Sequence, residues 1–466
     1  MFAGTMNDEN ISAIFHQTGD FQRRELRADG KVLYAYGIDG LISGADASEL
    51  VLKPISQQLR GATMEEMYHN ALYGSVYNCV VAACTNLADV AQKLVNGFCI
   101  ILFPDVGALS FEVKSGEKRN PGSPKVENTI KGPKDAFVET VRSNTGLVRR
   151  HLRTPMLRFY ETQVGATSRT NVTVAWIEGI TDPQLVKRMK TRLQQINTES
   201  FLTPAAVEES VTGSRATAFP LLQYTERTDR FCRGLIDGQI GLFVDGIPLG
   251  YLLPVDLGRF MDSQEDFAKD YVSASLLRVL RYAALVLSLL LPGVYIAMAT
   301  FHQEMIPLPL LRAVIESKKS VPFSTAVEVI GLLIAFELLQ ESGVQLPQAI
   351  GQSVSIIGGI VIGTAAVEAK LISSAALIAV SAAGICGFVL PNRDFANAVR
   401  TWRLGIALVS ALAGLFGAAS GLILLLIHLS SLSSLGEPYL SPLVEGADTT
   451  ILRKRLRFLD RKDIRK

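Results

Sequence analysis

Charged side chains become scarce partway along this chain. Residues 271–430 hold only 16 of them in 160 positions, against 74 in the other 306. Within that stretch run three uncharged apolar blocks of 20 residues or more, at 282–301, 371–390 and 404–427, while a fourth uncharged run, 342–367, includes Gln345, Gln348 and Gln352 and leaves its number of crossings open. About 20 apolar residues are enough for a helix to cross hydrocarbon. The pattern predicts an all-α, multi-pass transmembrane domain over 271–430, behind a water-soluble front half and ahead of a basic tail, 431–466. A chain of 466 residues with mean hydropathy +0.26 has room for both halves. The net charge of +2 is too small to point to nucleic acid as a partner.

The front half reads as α/β, with an internal echo. Residues 32–38 form a strand-like run ending on Ile38-Asp39-Gly40, followed by Asp46 as an N-cap and apolar positions at Val51, Ile55 and Leu59. Residues 172–177 form a second run ending on Ile177-Glu178-Gly179. Asp182 follows as N-cap, with Pro183 at the first helical position and a stripe of Leu185, Met189 and Leu193. A hairpin comes later in each case, turning at Pro104-Asp105 and at Asp245-Gly246. Two similar subdomains, 1–120 and 132–260, account for this pattern. Chance likeness of common strand-turn-helix units is the alternative.

Between the echoes, 133–153 is expected to form a basic amphipathic helix, on a lipid surface or as an ordinary solvated face. The preceding loop, 115–131, is rich in Gly, Pro, Lys and Asn and is expected to be the first site of proteolysis. Five cysteines form no C-x-x-C pair, and five histidines stand singly, so neither a metal site nor a cofactor is expected. Walker, H-E-x-x-H and G-x-S-x-G motifs are absent, which argues against an enzyme. The first residues lack the basic start and apolar run of a signal peptide, so the front half is expected to be cytoplasmic.

The stretch 305–370 is where function is expected. Gly351, Ser355, Gly359 and Gly363 recur every fourth residue, which on a helix makes one face of small side chains. Such a face permits close helix packing or leaves room beside a pore. Glu337 and Glu341 share a helix face, while Glu328 lies on the opposite one. Carboxylates within a membrane mark an ion path or a buried partner, unless they reach the interface and meet water.

Five separated runs also carry a resemblance: 132–158 (GPKDAFVETVRSNTGLVRRHLRTPMLR), 174–183 (VAWIEGITDP), 290–307 (LLPGVYIAMATFHQEMIP), 351–373 (GQSVSIIGGIVIGTAAVEAKLIS) and 434–443 (SLGEPYLSPL). Together they resemble the A subunit of the GerA family of spore germinant receptors, over nearly the whole chain. The resemblance implies a protein of the endospore inner membrane, whose cytoplasmic side is the spore core. It implies a transporter-like B subunit and a lipoprotein C subunit as partners, together with membrane lipid. It also implies a homo-oligomer, a pentamer, forming a ligand-gated cation channel with the small-residue face at or near its path. The alternative is a non-conducting scaffold of the kind expected of the sporulation paralogue SpoVAF.

Charge sets the expected orientation. Arg278 and Arg281 precede the first uncharged block, and the tail 451–466 carries eight Lys/Arg against two Asp, so both ends favour the cytoplasm. With 404–427 counted as one crossing, the arginines at 393, 400 and 403 fall on the opposite side, against the positive-inside rule.

Overall fold

The structure, a computed structural model, describes residues 4–74, 79–114, 124, 127, 132–199, 201–213, 217–267, 269–345 and 363–440. The chain divides into two compact units. One comprises residues 1–215 and 222–254, the other residues 216–221 and 255–466.

The first unit contains two five-stranded antiparallel sheets built in the same order. Strands β1 (Phe21–Ala28), β2 (Lys31–Ile38), β3 (Val81–Ala83), β4 (Phe98–Phe103) and β5 (Gly107–Glu112) lie in the order β1-β2-β4-β5-β3. Strands β6 (Leu157–Val164), β7 (Thr170–Ile177), β8 (Gln223–Thr225), β9 (Ile240–Val244) and β10 (Gly250–Leu253) lie in the order β6-β7-β9-β10-β8. The echoed strands, β2 and β7, thus hold equivalent places, as do the two hairpins.

The first sheet is buried on both faces, which explains the unbroken apolar run Phe98–Phe103. Ile101 and Phe103 point to one side, toward Val51, Ile55 and Met67. Ile100 and Leu102 point to the other, toward Ile11 and Ile14 of α1 (Asp8–Ile14) and toward Val90 and Leu94 of α3 (Leu87–Val95). The helix between them, α2 (Met64–Tyr73), supplies Met67. In the second half Phe159, Ala175, Phe243 and Leu252 pack on α4 (Val141–His151) and on Phe231 and Leu235 of α6 (Thr228–Ile236). The intervening α5 (Pro183–Gln195) starts as its sequence predicts, with the Asp182 carboxylate accepting from the Gln184 N–H and Pro183 in the first turn.

Two expectations for this half are corrected. Ser43, not Asp46, caps the helical run 44–58, accepting from the Asp46 N–H. That run widens to a π-helix over Ala47–Leu52, just before Pro54, which has no N–H to give to the preceding turn. The basic helix begins at Val141 and not at Pro133, because 136–138 bond elsewhere. The Phe137 N–H donates to the Glu226 carbonyl, and the Asn144 side chain bonds Val138 through both N–H and C=O. The helix packs its apolar side on the second sheet and keeps Ser143, Arg150 and His151 exposed, as an ordinary packed helix does, but one of its basic residues, Arg149, is fully buried. The expected mobile loop, 115–131, lies almost wholly outside the described residues.

The second unit is helical: α7 (Tyr271–Thr300), α8 (Leu308–Lys318), α9 (Thr325–Gln345), α10 (Ser374–Phe388) and α11 (Arg393–Ser431). Two of these, α7 and α11, are long and apolar enough to cross a membrane, and α10 is a shorter apolar helix. α7 starts a full turn and more before the uncharged block, so Arg278 and Arg281 lie inside it and are buried. The expectation of one crossing over 404–427 is corrected. Gly414, with φ 62° and ψ −139°, breaks α11 into arms 393–413 and 415–431, which fold back on each other. Trp402 and His428 lie 5.4 Å apart between ring centroids, where a straight helix would hold them about 39 Å apart.

The hairpin removes the conflict over the arginines. A Cβ on Gly293 would meet Ser410 and Ile406, and one on Gly414 would meet Phe301, so the first arm of α11 runs parallel to α7. α10 runs the other way, with Gly387 at Ser288 and Ala376 packed with Ile296. Arg393, Arg400 and Arg403 therefore lie toward the same end of the bundle as Arg278 and Arg281. Counting the hairpin as one crossing had moved them to the wrong end.

Candidate functional site

The carboxylates singled out above sit in the helical unit in three different settings. Glu328, in the first turn of α9, has a fully buried side chain. One of its oxygens accepts the Ser373 N–H at 2.8 Å, at the N-cap of α10, and the other lies 3.7 Å from the Lys318 ammonium at the end of α8. Lys318 also donates to the Thr325 hydroxyl. Glu328 therefore ties three helices at one end of the bundle.

Glu337 lies two and a half turns further along α9. Its oxygens stand 3.3 Å from Arg400 and 3.3 Å from Arg403, both on the first arm of α11. Arg403 is only 3% exposed and its Nε has no hydrogen-bond partner. One carboxylate thus faces two guanidinium groups, of which Arg403 is buried while Glu337 and Arg400 are partly exposed. Burying a guanidinium among apolar helices is costly unless it is paired, and Glu337 supplies that pairing. Glu341, one turn on, is exposed on the same side of α9. Glu328 and Glu337 meet different helices, the first the ends of α8 and α10 and the second the first arm of α11.

Of the small-residue face, Gly363 is described and Gly351, Ser355 and Gly359 lie outside the described residues. Gly363 is buried, and a Cβ there would make ordinary contact with Leu377 at 3.6 Å.

A second ion cluster went unforeseen. Asp266, 1% exposed, accepts from Arg281 Nη2 at 2.8 Å and lies 3.5 Å from Arg278 Nε, while Asp262 stands 3.6 Å from Arg278. In sequence these arginines look like orientation signals and the acids like a soluble linker. Their spacing of 12 and 15 residues has no helical period, so nothing announces the contact. Arg400 and Arg403, by contrast, were visible as charges bordering an apolar run, and only their partner was missing. Among the described residues no group of His, Cys, Asp and Glu could hold a metal ion.

Two alike α/β sheets, followed by helices long and apolar enough to cross a membrane and tied by buried ion pairs, define a class of protein. Within it the chain belongs to one family: the model described as Bacillus/Clostridium GerA spore germination protein matches residues 9–464. The chain is 33% identical to the uncharacterized membrane protein YfkQ of Bacillus subtilis, over 93% of its own length and 85% of that protein. It is 36% identical to spore germination protein KA of Bacillus subtilis, over 72% of its length and 62% of the relative. It is 37% identical to spore germination protein GerQA of Bacillus cereus, over 76% and 72%. A crystal structure of the N-terminal domain of the A subunit of the Bacillus megaterium spore germinant receptor GerK3 matches 52% of this chain and 91% of that domain. The identity is 24% and the TM-score 0.41.

Proposed function

We propose that this chain is the A subunit of a nutrient germinant receptor in the spore inner membrane, with its α/β half facing the core. It works with a transporter-like B subunit and a lipoprotein C subunit, and copies of it form a ring-shaped channel that releases cations. The observation that carries this reading is the Glu337–Arg400–Arg403 cluster, an expensive set of charges held among apolar helices in a germination-family chain. Glu337 and Glu341 face the cation path on α9, and the small residues at 351, 355, 359 and 363 lie along or beside it.

Flux of potassium from liposomes carrying the chain with its B and C partners tests this. Replacing Glu337 and Glu341 by Gln keeps their shape but leaves Arg400 and Arg403 uncompensated. The local potential then becomes more positive, and cation release should slow by tenfold or more at unchanged protein abundance. Release at the parental rate returns the carboxylates to a packing role.

The neutralisation of Glu337 by two arginines favours a second reading, a non-conducting scaffold that organises its partners. Complete absence of flux from the assembled wild-type complex, with binding of the partners intact, would establish that reading instead.

A further inference from the structure

The two alike halves of the first unit differ in what covers the turn after the echoed strand, and the difference leaves a cleft. In the first half the turn after β2, Asp39-Gly40, is covered by α4: a Cβ on Gly40 would stand 3.3 Å from Gly146 Cα, and Arg142 pairs with Asp39 at 3.1 Å. The matching turn after β7, Glu178-Gly179, is uncovered, and nothing lies within 4 Å of a Cβ on Gly179. The helix that would correspond to the 11-residue α4 is α1, with 7 residues. Over this turn it contributes only the following loop, where His16 lies 3.6 Å from Glu178. The space left is a cleft of about 380 Å³, walled by that loop, by Trp176 and by α5. A metabolite-sized pocket at the seam of two subdomains is a common binding position.

Its charge is lopsided. Arg158, whose side chain is 4% exposed, donates from Nε to Glu178 at 2.9 Å and so neutralises the one carboxylate in the wall. Lys187 and Lys190, three apart on α5, also line the cleft, and neither pairs with a carboxylate among the described residues. The Lys190 ammonium lies 4.8 Å from the Trp176 ring centre and 4.6 Å from that of Tyr160. It is therefore held in place by aromatic faces without being neutralised. Burial pulls its pKa below the ordinary lysine value, which an incoming anion would reverse. Thr181 and Gln194 add polar groups to the same wall.

We propose that this cleft binds a small organic anion, carrying carboxylate or phosphate groups that meet Lys187 and Lys190. The chain has two tryptophans, so Trp402→Phe leaves Trp176 as the sole indole reporter in the full-length protein. Its emission is titrated with citrate, with inorganic phosphate, with glucose and with sodium chloride at matched ionic strength. The expected result is a saturable change with citrate or phosphate, the stronger of the two naming the preferred group, and none with glucose or chloride. In Lys190→Gln and Lys187→Gln, both conservative on a helix surface, the apparent Kd should rise about tenfold. No saturable change with either anion, an equal change with glucose or chloride, or titrations unaltered by both substitutions would overturn the proposal. None of these outcomes depends on ion conduction by the helical half.

Discussion

At the scale of single residues, the most consequential contact is one that sequence does not announce. Arg149 and Asp20, both fully buried, are joined by two hydrogen bonds of 2.7 and 2.9 Å, with the Thr18 hydroxyl donating to Asp20 at 2.7 Å. They lie 129 positions apart, Asp20 just before β1 and Arg149 on α4, so no period or motif could pair them. What the sequence does display, five basic residues around a short apolar stripe, suggests a wet face. The isolated charge count hid which arginine turns inward. Because a buried charge that loses its partner is uncompensated, Arg149→Met should lower stability by about 3–5 kcal/mol, while Arg149→Met with Asp20→Leu should recover much of it. Thermal unfolding of the full-length protein in detergent checks both. Three of the five cysteines, Cys84, Cys99 and Cys232, are buried, while Cys79 and Cys386 are partly exposed. Burial pushes the Cys84 thiol up to about 11 and Cys99 up to about 12, and Cys232 is also raised. An ordinary thiol ionises near 8.5, so at pH 7.5 the reactive thiolate is scarcer by a factor of hundreds or more. Native protein should leave these three unalkylated over a time in which the unfolded chain reacts completely; mass mapping of the modified sites checks this.

At the scale of elements, turn chemistry and caps were readable wherever a local side chain does the work. The Asp182-Pro183 start of α5 and the Asp245-Gly246 hairpin need only neighbours in sequence, and both are present. Hydropathy failed where a reversal is hidden inside apolar residues. Gly414 sits between Ala413 and Leu415, with no Pro, Asn or Asp to mark a turn, because the turn abuts Phe301 and His302 and has no exposed polar loop. Only glycine is at ease at φ 62°, ψ −139°, and a Cβ there would come within 3.2 Å of Phe301. Gly414→Ala should therefore cost about 1–3 kcal/mol and loosen the hairpin. Gly405, on the first arm of α11 with open space around it, is the internal control: Gly405→Ala should be neutral or stabilise by up to about 1 kcal/mol. Comparing the melting temperatures of the two variants separates backbone strain from a general intolerance of added methyl groups.

At the scale of the whole molecule, the sequence showed the change of composition near residue 271 and the doubling of the α/β pattern, because charge content and period carry both. It did not show how the doubled halves are joined. Besides Asp20 and Arg149, Arg142 reaches Asp39, the Gly19 N–H donates to the Phe159 carbonyl, and Gly40 touches Gly146. Each bond crosses from one sheet's elements to the other's, and several are buried, so neither half exposes an unbonded seam. Residues 216–221 and 255–260 group with the helical unit and not with the sheets. We therefore expect a truncated chain of residues 1–254 to be soluble and to unfold in a single transition, both sheets together, even after cleavage within 115–131. Urea unfolding followed at once by Trp176 fluorescence, which reports the second sheet, and by far-ultraviolet circular dichroism, which reports both, provides the measurement. Coincident curves are the expected result, since a cooperative unit loses its shared buried pair in one step. Two separated transitions would mean that the sheets are independent domains and that the Arg149–Asp20 bridge adds little to their association.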